Sequence, residues 1–127
     1  MPAQNLIVDK IEGLRELTVA DGALVTLDLK GKVNNAQSVA EVIAFFARNG
    51  KCIERLDFSD NSFDSVLFIA LISPFSDNLK EIILMRNRIT GAKFQRLLHI
   101  PCVQKLKILK LAGNPISYDD QLQNEAI

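Results

Sequence analysis

Apolar and polar residues recur in one arrangement three times along the second half of the chain. The ungapped segments Ile53–Phe63, Leu79–Ile89 and Leu106–Ile116 each carry apolar residues at positions 1, 4, 6 and 11 and an asparagine at position 9. The asparagines Asn61, Asn87 and Asn114 are 26 and 27 residues apart. Positions 4 and 6 alternate with the polar or variable positions 3, 5 and 7, the period-two signature of a strand with one buried face. Between these segments the period changes to that of a helix. Ser38 and Glu41 have capping-box spacing, with Val39, Val42, Ile43 and Phe46 on one face and Gly50 as a stop. Asp64 or Ser65 opens a second, shorter helix carrying Leu67, Phe68, Leu71 and Ile72, which Pro74 closes. Thr90 opens a third, with Leu97 and Leu98 inward and Pro101 at its end. Alternating strands and helices predict an α/β fold.

Position 9 calls for a side chain that can bond backbone groups where the chain turns away from the strand, and asparagine does so with both its carbonyl and its amide. A weaker unit begins at Leu24, with Leu27 and Leu29 in phase but Lys32 in place of the asparagine. Upstream, Glu16 to Leu29 reads as two strand-like runs around Asp21-Gly22, a hairpin signal. The pattern LxxLxLxxNxL resembles the leucine-rich repeat family, and Asn87 to Leu98 is similar to the subclass represented by ribonuclease inhibitor. That resemblance covers residues 24–116. It implies a solenoid with parallel strands on a concave face, helices on a convex face, and Asn61, Asn87 and Asn114 stacked as a structural ladder. The expected units are near 24–52, 53–78, 79–105 and 106–127, with 1–23 as an N-terminal hairpin cap and Tyr118 to Ile127 left to cap the other end.

Composition narrows the function. A chain of 127 residues, 48% apolar and 24% charged, is expected to form one globular domain. Fifteen basic residues balance fifteen acidic ones, so bulk charge supplies no attraction to nucleic acid or an anionic membrane. No apolar run approaches the ~18–20 residues of a membrane span, and no basic leader precedes an apolar core, which predicts an intracellular, cytoplasmic protein. Cys52 and Cys102 lie in no metal-ligand spacing and read as structural thiols. His99, the only histidine, falls on the helical side, and no nucleotide, hydrolase-elbow or zinc-protease motif is present, so neither catalysis nor a cofactor is expected. Asp28, Asp57, Asp60 and Asp64 could be read as hard-cation ligands, but they lack the glycine and terminal glutamate of an EF-hand, and the expectation is a solvated acidic face without metal.

The remaining surface is the row of strand positions 3, 5 and 7. Ile83, Met85, Ile108 and Ala112 form an expected apolar patch there, with Arg55, Asp57, Glu81, Arg86 and Lys110 around it. The expected function is non-catalytic binding of a protein partner on this concave face. Residues 1–64 carry a net charge of −3 and residues 65–127 a net charge of +3, which keeps open a structural subunit that associates through its ends. Family analogy adds a regulator of a GTPase. Nucleic acid is disfavoured because no aromatic residues accompany the basic ones.

Overall fold

The computed structural model describes residues 4–20 and 22–116. Five strands, β1 (Gln4–Ile7), β2 (Val25–Asp28), β3 (Ile53–Asp57), β4 (Glu81–Ile83) and β5 (Ile108–Lys110), form one sheet in chain order. Every neighbouring pair is parallel. Parallel neighbours need a crossover. The crossovers are a 3-10 turn (Ile11–Glu16), then α1 (Ala36–Asn49), then α2 (Ser65–Ile72), and finally the pair α3 (Gly91–Leu97) and α4 (Pro101–Gln104). The chain is therefore a mixed α/β protein.

Register places Leu6, Leu27, Leu56, Ile82 and Leu109 side by side across the sheet. They enter one core with Phe45 and Phe46 of α1, Phe68, Ile69 and Ile72 of α2 and Leu97 of α3. Phe58, just beyond β3, stacks on Phe68 with ring centroids 4.0 Å apart. The helices thus cover one face of the sheet, and the other face, called open below, carries the alternate residues.

The N-terminal hairpin is not formed. β1 runs parallel to β2, residues 17–20 are not in a strand, and Asp21 lies outside the described residues. Val8, Ile11 and Leu14 explain the outcome: they bury in the same core as the later units, which a hairpin folded over the sheet end would not allow. Leu14 O accepts a bond from Arg48 at 3.0 Å and Val19 N–H donates to Asn49 Oδ1 at 3.2 Å, tying this segment to α1.

The helices differ in detail from the sequence pattern. Asn35, not Ser38, is the N-cap of α1; its Oδ1 accepts from Ser38 N while Ser38 Oγ accepts from Asn35 N. Glu41 instead pairs with Arg15. Gly50 has an ordinary right-handed φ of −58°, so it is not required as a left-handed stop. A Cβ there would collide with Phe75 O, and that backbone approach is what requires glycine. In α2, Phe68, Ile69 and Ile72 turn inward while Leu67 and Leu71 are exposed, and Leu98 after α3 is exposed as well. Residues Tyr118 to Ile127, expected as a cap, lie outside the described residues.

Candidate functional site

The open face is built by the turns that follow the strands. Leu29, Phe58 and Leu84 each donate their N–H to the following unit, at Asp57 O, Ile83 O and Lys110 O, all at 2.8 Å. Two residues on, Gly31, Asp60 and Arg86 repeat the move toward Ser59 O, Met85 O and Ala112 O at 2.9, 3.0 and 3.0 Å. Position 8 of each unit, Gly31, Asp60, Arg86 and Gly113, has positive φ of 67°, 56°, 55° and 79°. That left-handed residue turns the chain off the sheet, and for aspartate and especially arginine it costs about 1–2 kcal/mol against an ordinary conformation.

Asparagine side chains tie these turns together. Asn61 Oδ1 accepts from Val33 N at 2.7 Å, Asn87 Oδ1 from Asn61 N at 2.9 Å, and Asn114 Oδ1 from Asn87 N at 2.8 Å and Ile89 N at 2.9 Å. Their amides donate to carbonyls: Asn61 to Leu29 O and Phe58 O, Asn87 to Phe58 O, and Asn114 to Leu84 O and Leu111 O. The ladder needs no asparagine at Lys32, because the adjacent Val33 backbone N–H is its first rung.

Two rows of side chains cross the open face in register. One runs Asn5, Thr26, Arg55, Glu81, Ile108, the other Ile7, Asp28, Asp57, Ile83, Lys110. Glu81 sits between two cations, 2.7 Å from Arg55 Nε and 3.8 Å from Lys110 Nζ. Asp60 likewise accepts both Arg86 Nε at 2.6 Å and Arg86 Nη2 at 2.7 Å, with Lys30 Nζ 4.0 Å away. Hydrogen bonding from Arg86 is the main reason the Asp60 carboxyl is held below the ordinary carboxylate range, and the same bond raises the Arg86 guanidinium. A shallow groove of about 430 Å³ runs along the start of the strands, lined by Thr26, Glu54, Arg55, Lys80, Glu81, Lys107 and Ile108.

The expected apolar patch is smaller than the alternation implies. Ile83 is only 5% exposed although it is outside the hydrophobic core cluster. It lies mid-sheet between Asp57 and Lys110, and strand alternation fixes which face a side chain takes without fixing whether its neighbours cover it. Met85 is half-buried, Ala112 is exposed, and Ile108 is 45% exposed at the last strand. Arg86 does not flank the patch as a free rim charge; it is folded onto Asp60 in the turn. Ile7, 78% exposed on β1, joins the open face and was hidden in the segment read as a cap. Ser59 is also structural: nearly fully buried, its Oγ accepts from Met85 N at 3.1 Å, a role that position 7 alone does not announce.

The four acids considered as cation ligands each have a bonding partner in the protein. Asp28 accepts from Lys30 N and Asp57 from Ser59 N, both at 3.0 Å, so these two close equivalent turns in successive units. Asp60 holds Arg86, and Asp64 caps α2 by accepting from Val66 N and Leu67 N at 3.0 and 3.2 Å. Among the described residues no cluster of three histidine, cysteine or acidic side chains has the arrangement of a metal site. His99 is exposed, with Nδ1 2.8 Å from Gln95 O. Cys102 is buried and Cys52 half-buried, both as free thiols. No helix among the described residues is long and apolar enough to cross a membrane. Comparison with protein-family models, curated proteins and solved structures returned no match.

Proposed function

We propose that this chain is a leucine-rich repeat module, similar to the ribonuclease-inhibitor subclass, that binds a protein partner on the open face of its sheet without catalysis. The observation that carries this reading is the in-register pair of rows across five strands. Segments far apart in sequence contribute to one surface, and the asparagine-tied turns hold it before any partner arrives. A prearranged surface loses little conformational freedom on binding. Arg55, Asp57, Glu81, Met85, Ile108 and Lys110 supply the contacts, with Ile108 as the apolar anchor; Ile83 and Arg86 support them from below and from the turn. Regulation of a GTPase rests on family analogy alone, and nothing like a catalytic arginine can be singled out for it.

The test is affinity capture with the immobilised chain and two substitutions of matched chemistry. Ile108→Asp changes the open face and Leu71→Asp the exposed side of α2. The proposal expects Ile108→Asp to release the captured partner and Leu71→Asp to retain it, with both variants keeping the wild-type circular dichroism spectrum. Release by Leu71→Asp alone would transfer the site to the helices.

A further inference from the structure

We infer that the partner presents an acidic segment bearing an apolar side chain, and that it lies across β4 and β5 with its apolar group on Ile108 and its carboxylates on Lys107 and Lys110. This rests on the open-face reading and narrows it to one end of that face and one chemistry.

Charge around Ile108 is one-sided. Residues 101–116 contain three lysines, Lys105, Lys107 and Lys110, and no acid. All three are exposed. The two acids of the adjoining groove are already engaged: Glu54 lies 3.4 Å from Lys80, and Glu81 lies closer to Arg55 (2.7 Å) than to Lys110 (3.8 Å). Among the described residues no carboxylate comes within ion-pair distance of Lys105 or Lys107, and Lys110 holds only the longer side of a shared acid. Among the described residues the surface therefore keeps uncompensated positive charge on both sides of an apolar side chain that is 45% exposed.

Geometry selects the form of the occupant. Ile108 and Lys110 are two residues apart on one strand and so share the open face, while Lys107 lines the groove beside Ile108. An apolar residue flanked by acids along an extended segment matches that spacing, because its alternate side chains also repeat every two residues. A basic or neutral segment would leave the lysines repelled or unpaired. Nucleic acid would satisfy the lysines through phosphate but would gain nothing from Ile108, and no aromatic side chain stands in either row for a base to stack on.

The test uses the full chain and fluorescence polarisation with two labelled peptides of equal length, one repeating Glu-Ser-Leu-Ser so that leucine and glutamate share a face of the extended segment, and one with lysine in place of each glutamate. The leucine–glutamate peptide should bind and weaken as salt is raised, and the leucine–lysine peptide should not bind. Lys107→Glu with Lys110→Glu should weaken binding about tenfold or more, whereas Arg88→Glu with Lys93→Glu, in the turn before α3 and on α3 itself, should leave it within about twofold. Equal binding of the two peptides, silence of the leucine–glutamate peptide, or an equal loss in the Arg88 and Lys93 variant would overturn the inference. So would either of two other occupants. A dimer seen by sedimentation that Lys107→Glu with Lys110→Glu dissolves would assign the surface to a second copy. Peptide binding that tightens about tenfold in Asp119→Asn with Asp120→Asn would assign it to the chain's own C-terminal segment. A silent peptide together with partner release by Ile108→Asp removes only the acidic chemistry and leaves the open-face reading in place; retention by Ile108→Asp removes both.

Discussion

Asn87→Ala probes the element that repeats most strictly, and the structure sets its cost. The Asn87 side chain accepts from Asn61 N at 2.9 Å and donates to Phe58 O at 2.8 Å. Alanine removes both bonds but does not orphan both partners. Phe58 O keeps the Asn61 amide at 2.9 Å, while Asn61 N–H, in a buried residue, loses the one acceptor it has among the described residues. An orphaned buried donor costs about 1–3 kcal/mol, and the second lost bond adds about 0.5–1.5 kcal/mol. A total of about 1.5–4.5 kcal/mol follows, which for a chain of this size lowers the melting temperature by roughly 5–20 °C. Asn34→Ala is the control: Asn34 is exposed, takes part in its turn through its backbone N–H, and should shift stability by less than about 0.5 kcal/mol. Thermal melts by circular dichroism measure both, and native-state hydrogen exchange should show the Asn61 amide accelerated in Asn87→Ala. Equal melting temperatures for the two variants, or an unchanged Asn61 amide, would refute the idea that side-chain bonds hold the turns together.

Ile83→Asp should destabilise by about 3 kcal/mol or more because it buries a carboxylate, whereas Ile108→Asp should cost under about 1 kcal/mol; equal denaturation midpoints would contradict the burial assigned to Ile83. The depressed Asp60 carboxyl contributes stability that is fully present above its unfolded pKa, near about pH 4, and is lost as pH falls through its lower folded value. Asp60→Asn should therefore flatten the fall in melting temperature below about pH 4, and an unchanged acid slope would count against the Arg86 pair. Burial raises the Cys102 thiol, so iodoacetamide should modify half-buried Cys52 first in the native protein, as read by mass spectrometry; first modification of Cys102 would contradict its placement.

Much of the parallel sheet was legible because its units announce themselves locally. Alternation at Leu56 and Phe58, Ile82 and Leu84, and Leu109 and Leu111 identifies strands without knowing their partners, and the recurring asparagine identifies the turn. The first unit was not legible. Asp21-Gly22 is a good local hairpin signal, but the pairing that wins, β1 beside β2 through a 3-10 crossover, is non-local and depends on Ile11 and Leu14 reaching the core. Helix α2 hid its orientation for a different reason: Val66 to Ile72 is apolar on all sides, so periodicity cannot choose between Leu67 and Ile69. On the open face, alternation sorted side chains by direction, but coverage of Ile83 and capture of Arg86 by Asp60 depend on neighbours in other strands. The left-handed position 8 could be read at Gly31 and Gly113 but not at Arg86, whose residue type gives no hint of it.

Lysine acetylation footprinting of the chain, alone and with its captured partner, tests the central claim most directly, since lysines mark both surfaces. Lys107 and Lys110 stand on the open face and its groove, and Lys93 on α3 marks the helical side. The account predicts that the partner shields Lys107 and Lys110 from acetylation while Lys93 reacts as fast as in the free chain. Shielding of Lys93 with undiminished labelling of Lys107 and Lys110 would contradict it and place the binding site on the helices.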